Sequence, residues 1–221
     1  METFYKKFKY LYLIPFLIFL NKHIFRKKEK TIKNIYPDKK IFFIIGSGRN
    51  GSTLLSLLLS RHTNIFLPPE QSVLPYSILE WALPIFNNWN QFYKRILTNY
   101  KHKNQNWNLT TEDFKNIEVR AKHLKREHRN ASNIYRLIIR YYAKKISSSK
   151  NIFGDQTPNT TLFYKSVYNE FPNAKYIFLV RRPLDVVLCE KCKLYQLSHT
   201  APQELLYSKH SKLVQLDTVV D

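Results

Sequence analysis

Ile41-Phe42-Phe43-Ile44-Ile45-Gly46-Ser47-Gly48-Arg49-Asn50-Gly51-Ser52-Thr53-Leu54-Leu55 is the stretch on which the fold turns. Five consecutive apolar residues, bounded by charge on one side and glycine on the other, are the pattern of a strand buried on both faces of a parallel sheet. Apolar residues then recur at helical spacing over Thr53–Ser60, so the order is strand, glycine-rich loop, helix. The chain has only four glycines, at positions 46, 48, 51 and 154, and three of them fall in this one loop. Glycines there let backbone N–H groups close round a phosphate, and the helix N-terminus adds its positive end. Gly46, four residues and Gly51 follow Walker spacing, but Ser52 stands where the lysine belongs. A nucleoside triphosphatase sets that lysine on the β- and γ-phosphates. Here the loop's cation is Arg49, three residues early, which suits a nucleotide with fewer terminal charges and no obligatory metal.

Outward from this loop, Tyr176–Val180 (YIFLV) is a second clear buried strand, ending on Arg181, and Leu184–Leu197 reads as the helix after it. Asn151–Gly154 (NIFG) is a short strand. Ser77–Tyr100 and Thr111–Ser147 read as helical, with Thr110 and Asp113 spaced as an N-terminal cap. Strands alternating with helices predict an α/β fold: a three-layer, P-loop-like architecture with a parallel sheet flanked by helices, plus a mostly helical insertion.

At 221 residues, 44% of them hydrophobic, the chain can bury a sizeable core, which excludes wholesale disorder. Two cysteines exclude a disulfide-stapled mini-domain. The net charge of +20 favours anionic partners. No zinc finger, basic heptad or aromatic RNA-binding strand accompanies it, so nucleic acid is not an expected partner. Cys189 and Cys192 lack a second cysteine pair and His62, His199 and His210 lack ligand spacing, so no metal is expected. The N-terminus divides into residues 1–26, with an apolar run Tyr10–Leu20 between basic flanks, and a basic linker over 27–40 ahead of a domain at 41–221. As a helix, the run extends about 17 Å, against about 30 Å for a bilayer core. We read it as a membrane anchor or interfacial helix, with the side of the membrane open. Sequons at Asn50, Asn108, Asn130 and Asn159 do not settle that side, because an asparagine-rich chain produces them by chance.

Arg49-Asn50-Gly51-Ser52-Thr53 after an apolar strand resembles the 5′-phosphosulfate loop of the sulfotransferases that use 3′-phosphoadenosine-5′-phosphosulfate (PAPS). By that resemblance Arg49, Asn50, Gly51, Ser52 and Thr53 bind the cofactor, and Arg49 also serves catalysis. Arg181 in YIFLVRRPLDVVLC resembles the family's 3′-phosphate arginine, Asp185 its helix-start aspartate, and Cys189 stands where its serine closes the motif. Glu70, after Pro68 and Pro69, falls where the tyrosylprotein branch keeps its catalytic base. The implied reaction moves a sulfuryl group from PAPS to a hydroxyl of a carbohydrate, protein tyrosine or lipid.

Three departures accompany the resemblance. Cys189 is a weaker hydrogen-bond donor than serine. Gln156, in Gly154-Asp155-Gln156-Thr157-Pro158, replaces a lysine, with Lys150 and Lys165 the nearby cations that could substitute. No glycine follows Gly154, so the family's C-terminal glycine loop is missing, as in a C-terminally truncated or degenerate member. Two alternatives stay open on these grounds: a catalytically inactive, membrane-associated nucleotide-binding protein, and a divergent P-loop kinase.

Overall fold

β1 (Ile41–Ile45) is buried along its whole length, as five unbroken apolar residues predict. The structure is a computed structural model, in which the described residues are 12–13, 16, 34–36, 40–83, 88–102, 107–146 and 150–189. β1 lies inside a four-stranded sheet with β2 (Ile65–Phe66), β3 (Ile152–Asp155) and β4 (Lys175–Phe178), in the order β2-β3-β1-β4. All pairings are parallel: Phe43 lies opposite Asp155 on β3 and Tyr176 on β4. The chain therefore leaves β1 to one side and returns on the other at β4. In such sheets ligands bind in the crevice beyond the carboxyl ends of the strands at that switch.

Parallel neighbours need crossovers, and helices supply them. α1 (Ser52–Ser60) joins β1 to β2. Between β2 and β3 lie α2 (Val73–Trp81), α3 (Trp89–His102), α4 (Thr111–Lys122) and α5 (Ala131–Ile146), the helical insertion. α6 (Asn159–Leu162) and α7 (Tyr164–Glu170) lead to β4.

Local chemistry sets several boundaries. The helical stretch expected over Thr111–Ser147 is two helices, because Asn130 caps a new one. Its Oδ1 accepts from the Asn133 amide and the Ser132 hydroxyl, each at 2.7 Å. Thr110 and Asp113 form the anticipated capping box on α4. β4 ends at Phe178, two residues short of the predicted strand: the Leu179 N–H still donates to the Ile45 carbonyl at 2.8 Å, but the Leu179 carbonyl turns toward the glycine loop. α1 buries Ser52 and Ser56 while Leu54, Leu57 and Leu58 are exposed, so its small residues face inward.

Ile41, Phe43 and Ile45 project into the main core, where Phe43 meets Phe171 edge-on at 5.1 Å and stacks on Tyr176 at 5.5 Å. Trp107 stacks on Tyr142 at 4.8 Å, and its indole N–H donates to the Pro69 carbonyl at 2.9 Å. This core clamps the loop between β2 and α2 against α5, which matters for Glu70.

The apolar run Tyr10–Leu20 lies outside the described residues save for Tyr12, Leu13 and Phe16, all exposed. Among the described residues no helix is long and apolar enough to cross a membrane. The chain is helical over 183–189; the rest of the helix expected to Leu197, with Cys192, lies outside the described residues.

Candidate functional site

The glycine loop opens where β1 ends. Gly46 has no room for a side chain: a Cβ would sit 2.0 Å from Asn50 Nδ2 and 2.5 Å from the Leu179 carbonyl oxygen. Gly51 caps α1 with φ of 99°, a left-handed conformation that costs other residues free energy. Arg49 is left-handed as well, at φ of 64°. A non-glycine residue held there stores about 1–3 kcal/mol and marks a backbone shaped for something other than stability.

Three contacts impose that shape. Asn50 is buried inside the loop, donating from Nδ2 to the Leu179 carbonyl at 3.1 Å and accepting from the Ser52 amide at 3.1 Å. Thr161 on α6 accepts from the Gly46 amide at 2.8 Å and donates to the Gly46 carbonyl at 2.7 Å. Arg181 donates from Nη1 to the Arg49 carbonyl at 3.0 Å. The loop after β4 thus touches the loop after β1.

Of the residues singled out in sequence, Arg49, Gly51 and Thr53 are exposed at the mouth of the loop, and Ser52 is buried at the first turn of α1. Arg181 is half-buried beside Arg49. Asp185 pairs with Arg182 at 3.0 Å, and Cys189 is a half-buried free thiol in the helical segment 183–189. Asn50 and Asn130, two of the four sequons, are buried and committed to hydrogen bonds.

Glu70 is exposed, four residues beyond β2, on the same edge of the sheet. Its neighbour Gln71 is buried and held by its backbone amide, which donates to Thr157 Oγ1 at 3.2 Å. The Thr157 amide in turn donates to Asp155 Oδ1 at 2.8 Å, and the Tyr135 hydroxyl donates to Asp155 Oδ2 at 3.0 Å. Burial raises the Asp155 pKa, opposed by the hydrogen bonds from Thr157 and Tyr135. Burial, then the nearby Asp155 charge, pushes the Tyr135 phenol well up.

Gln156 directly follows β3, buried, and its Oε1 has no hydrogen-bond partner among the described residues. Neither has Thr160 Oγ1 nearby in sequence. Just beyond the carboxyl end of β3, the unpaired Gln156 oxygen is a point where a bound group can supply the missing hydrogen bond. Lys150 does not stand in for the lysine that Gln156 replaces. It precedes β3, at the opposite end of the strand, where Nζ donates to the Ser60 carbonyl at 2.9 Å.

Thr161, which braces Gly46, was not singled out in sequence, and Thr157, which braces the Glu70 segment, was named only within Gly154–Pro158. Their local signal is the run of threonines on either side of Pro158. Among the described residues no cluster of histidine, cysteine, aspartate and glutamate could hold a metal.

These features define an α/β protein of the phosphate-loop architecture, with two facing loops at the switch of a parallel sheet. The sulfotransferase family model matches residues 42–216, well over half of the sequence, and the chain belongs to the sulfotransferase family. No curated protein and no solved structure matches it.

Proposed function

We propose that the chain transfers a sulfuryl group from PAPS to a hydroxyl acceptor. The observation that carries this reading is the 3.0 Å contact between Arg181 and the Arg49 carbonyl, which sets two cationic loops side by side at the carboxyl edge of the sheet. A ligand with phosphates at both ends, 5′ and 3′, matches two such loops better than a triphosphate, which needs a lysine at Ser52. The open mouth fits as well: a Cβ on Gly48 would meet nothing within 4 Å.

In this reading PAPS supplies the sulfuryl group. Arg49, the N–H groups of Gly51 and Thr53, and the hydroxyls of Ser52 and Thr53 hold the 5′-phosphate and stabilise the charge it gains as its bond to sulfur breaks. Arg181, with the Cys189 thiol, holds the 3′-phosphate. Asn50 holds the loop in its shape from within. Glu70 takes the proton of the acceptor hydroxyl as its oxygen bonds to sulfur. Support for Glu70 is positional: the Thr157–Asp155 hydrogen bonds fix its neighbour Gln71 on the carboxyl edge that also bears the glycine loop. The acceptor is a carbohydrate, a protein tyrosine or a lipid, and the Tyr10–Leu20 segment attaches the chain to a membrane.

Transfer of radiolabelled sulfate from PAPS to a panel of these three acceptor types tests the reading. Incorporation into one of them, abolished in Arg49→Ala, is expected. A folded wild-type protein that labels none of them while binding adenosine 3′,5′-bisphosphate instead favours an inactive nucleotide-binding protein, the reading that Gln156 supports.

A further inference from the structure

A groove of about 670 Å³ lies at the other end of the sheet, against Tyr36 ahead of β1, Lys150 ahead of β3, Phe153 of β3, and the C-terminal turns of α4 and α5. It is well separated from the glycine loop. Lys150 reaches Ser60 at the far end of α1, and a nine-residue helix spans about 14 Å.

Five cations line it: Arg120, Arg140, Lys144, Lys145 and Lys150. Lys145 is paired with Asp113. Lys150 is spent in part on the Ser60 carbonyl. Arg120, Arg140 and Lys144 have no carboxylate partner among the described residues. Arg140 is the telling one. Its guanidinium carbon lies 3.9 Å from the Tyr36 ring centroid and 5.0 Å from that of Phe153, and Arg120 lies 5.7 Å from Tyr141. Burial lowers the Arg140 pKa, opposed in part by Tyr36, so the cation is partly desolvated with no carboxylate paired to it among the described residues. An arginine fixed on aromatic faces, with no hydrogen bond to the other described residues, is arranged for a planar or tetrahedral oxyanion.

We propose that this groove is a second anion site, separate from the glycine loop, that binds a small molecule or headgroup carrying several phosphate groups. Three uncommitted cations within one groove favour clustered charge over a single carboxylate. The size suits a ligand of sugar-phosphate dimensions, since small-molecule sites run from about 300 to 1,000 Å³. One source of that chemistry is a phosphorylated lipid headgroup. Tyr36 lines this groove, and the cationic segment after the apolar run Tyr10–Leu20 precedes it in the chain. The other source is a soluble polyphosphate.

The test is titration of the detergent-solubilised full chain with inositol trisphosphate, in the presence of saturating adenosine 3′,5′-bisphosphate to occupy the glycine loop. Binding at micromolar concentration is expected, unchanged in Arg49→Ala and in the remote control Lys94→Gln. It weakens at least tenfold in Arg140→Gln and in Lys144→Glu. Lys144 is exposed, so its reversal leaves folding intact, which a thermal melt verifies. Flotation on phosphatidylcholine vesicles with and without phosphatidylinositol bisphosphate then assigns the source. Flotation that rises with the charged lipid in wild type and does not rise in Lys144→Glu identifies the headgroup. Equal flotation alongside trisphosphate binding identifies the soluble ligand. No trisphosphate binding by the folded chain, or binding that Lys144→Glu and Lys94→Gln weaken alike, overturns the proposal.

Discussion

Arg181 and the carbonyl oxygen of Arg49 meet at 3.0 Å across 132 residues of chain. A side chain from the end of one strand thereby fixes the left-handed backbone at the end of its neighbour. Cationic side chains do not ordinarily gather at one edge without an anion between them, since each raises the cost of the next. Arg181→Ala removes both the brace and a charge. Charge-assisted hydrogen bonds contribute about 1.5–3 kcal/mol. Affinity for adenosine 3′,5′-bisphosphate accordingly falls at least tenfold in calorimetric titration, while Arg181→Lys recovers part of it.

Arg49 separates function from stability. Glycine there relieves the positive φ of 64°, and the left-handed penalty for an L-residue is about 1–2 kcal/mol. Arg49→Gly melts at the same temperature as wild type or higher, yet loses bisphosphate binding. Arg49→Ala keeps the strain and loses binding too. Thermal melts of the two variants side by side check the distinction.

Asn50 makes the opposite prediction. Its side chain satisfies the Leu179 carbonyl and the Ser52 amide inside the loop. Alanine leaves both unpaired, which costs about 1–3 kcal/mol. Asn50→Ala is measurably less stable to denaturant, and its affinity falls because the loop opens, not because a ligand contact is gone. Ligand at high concentration therefore restores much of its melting temperature by mass action.

The carboxyl edge also divides binding from turnover. A general base contributes about 10²–10⁴-fold to rate. Glu70→Gln lowers kcat by that order and leaves bisphosphate affinity unchanged. Gln156→Lys, which puts a cation at the buried end of β3, raises the rate of sulfate transfer. A kcat that does not respond to either change removes both residues from the chemistry.

Asp113 gives a stability prediction independent of any ligand. Burial alone would raise its pKa, but the Lys145, Thr110 and Tyr141 hydrogen bonds outweigh burial and hold the carboxyl at about 2. A depressed carboxyl contributes stability that is fully present above its unfolded value near pH 4 and lost as pH falls through the folded value. Wild type thus loses stability between about pH 4 and pH 2 more steeply than Asp113→Asn. Losing the cap also lowers the variant's stability at neutral pH by about 1 kcal/mol.

Much of this arrangement was legible in the residues. IFFII and its glycine loop specified a buried parallel strand and the loop at its end, because neither pattern has another common use in a chain with so few glycines. Arg181 was legible from its place after YIFLV. The Thr110–Asp113 cap was legible because it is local. What was not legible depends on tertiary placement. The two-residue β2 is too short to show a period, and Thr157 and Thr161 reach their partners only when the sheet forms. The separation of Lys150 from Gln156 appears only once β3 sets them at opposite ends. The unequal faces of α1 run against its hydrophobicity, since packing against the sheet favours its serines over its leucines.

The most direct measurement is calorimetric titration of the full chain with adenosine 3′,5′-bisphosphate, set beside ATP with magnesium. Micromolar binding of the bisphosphate, lost in Arg49→Ala and Arg181→Ala and absent for ATP, is the predicted result. Tight magnesium-dependent ATP binding, with none for the bisphosphate, contradicts the account.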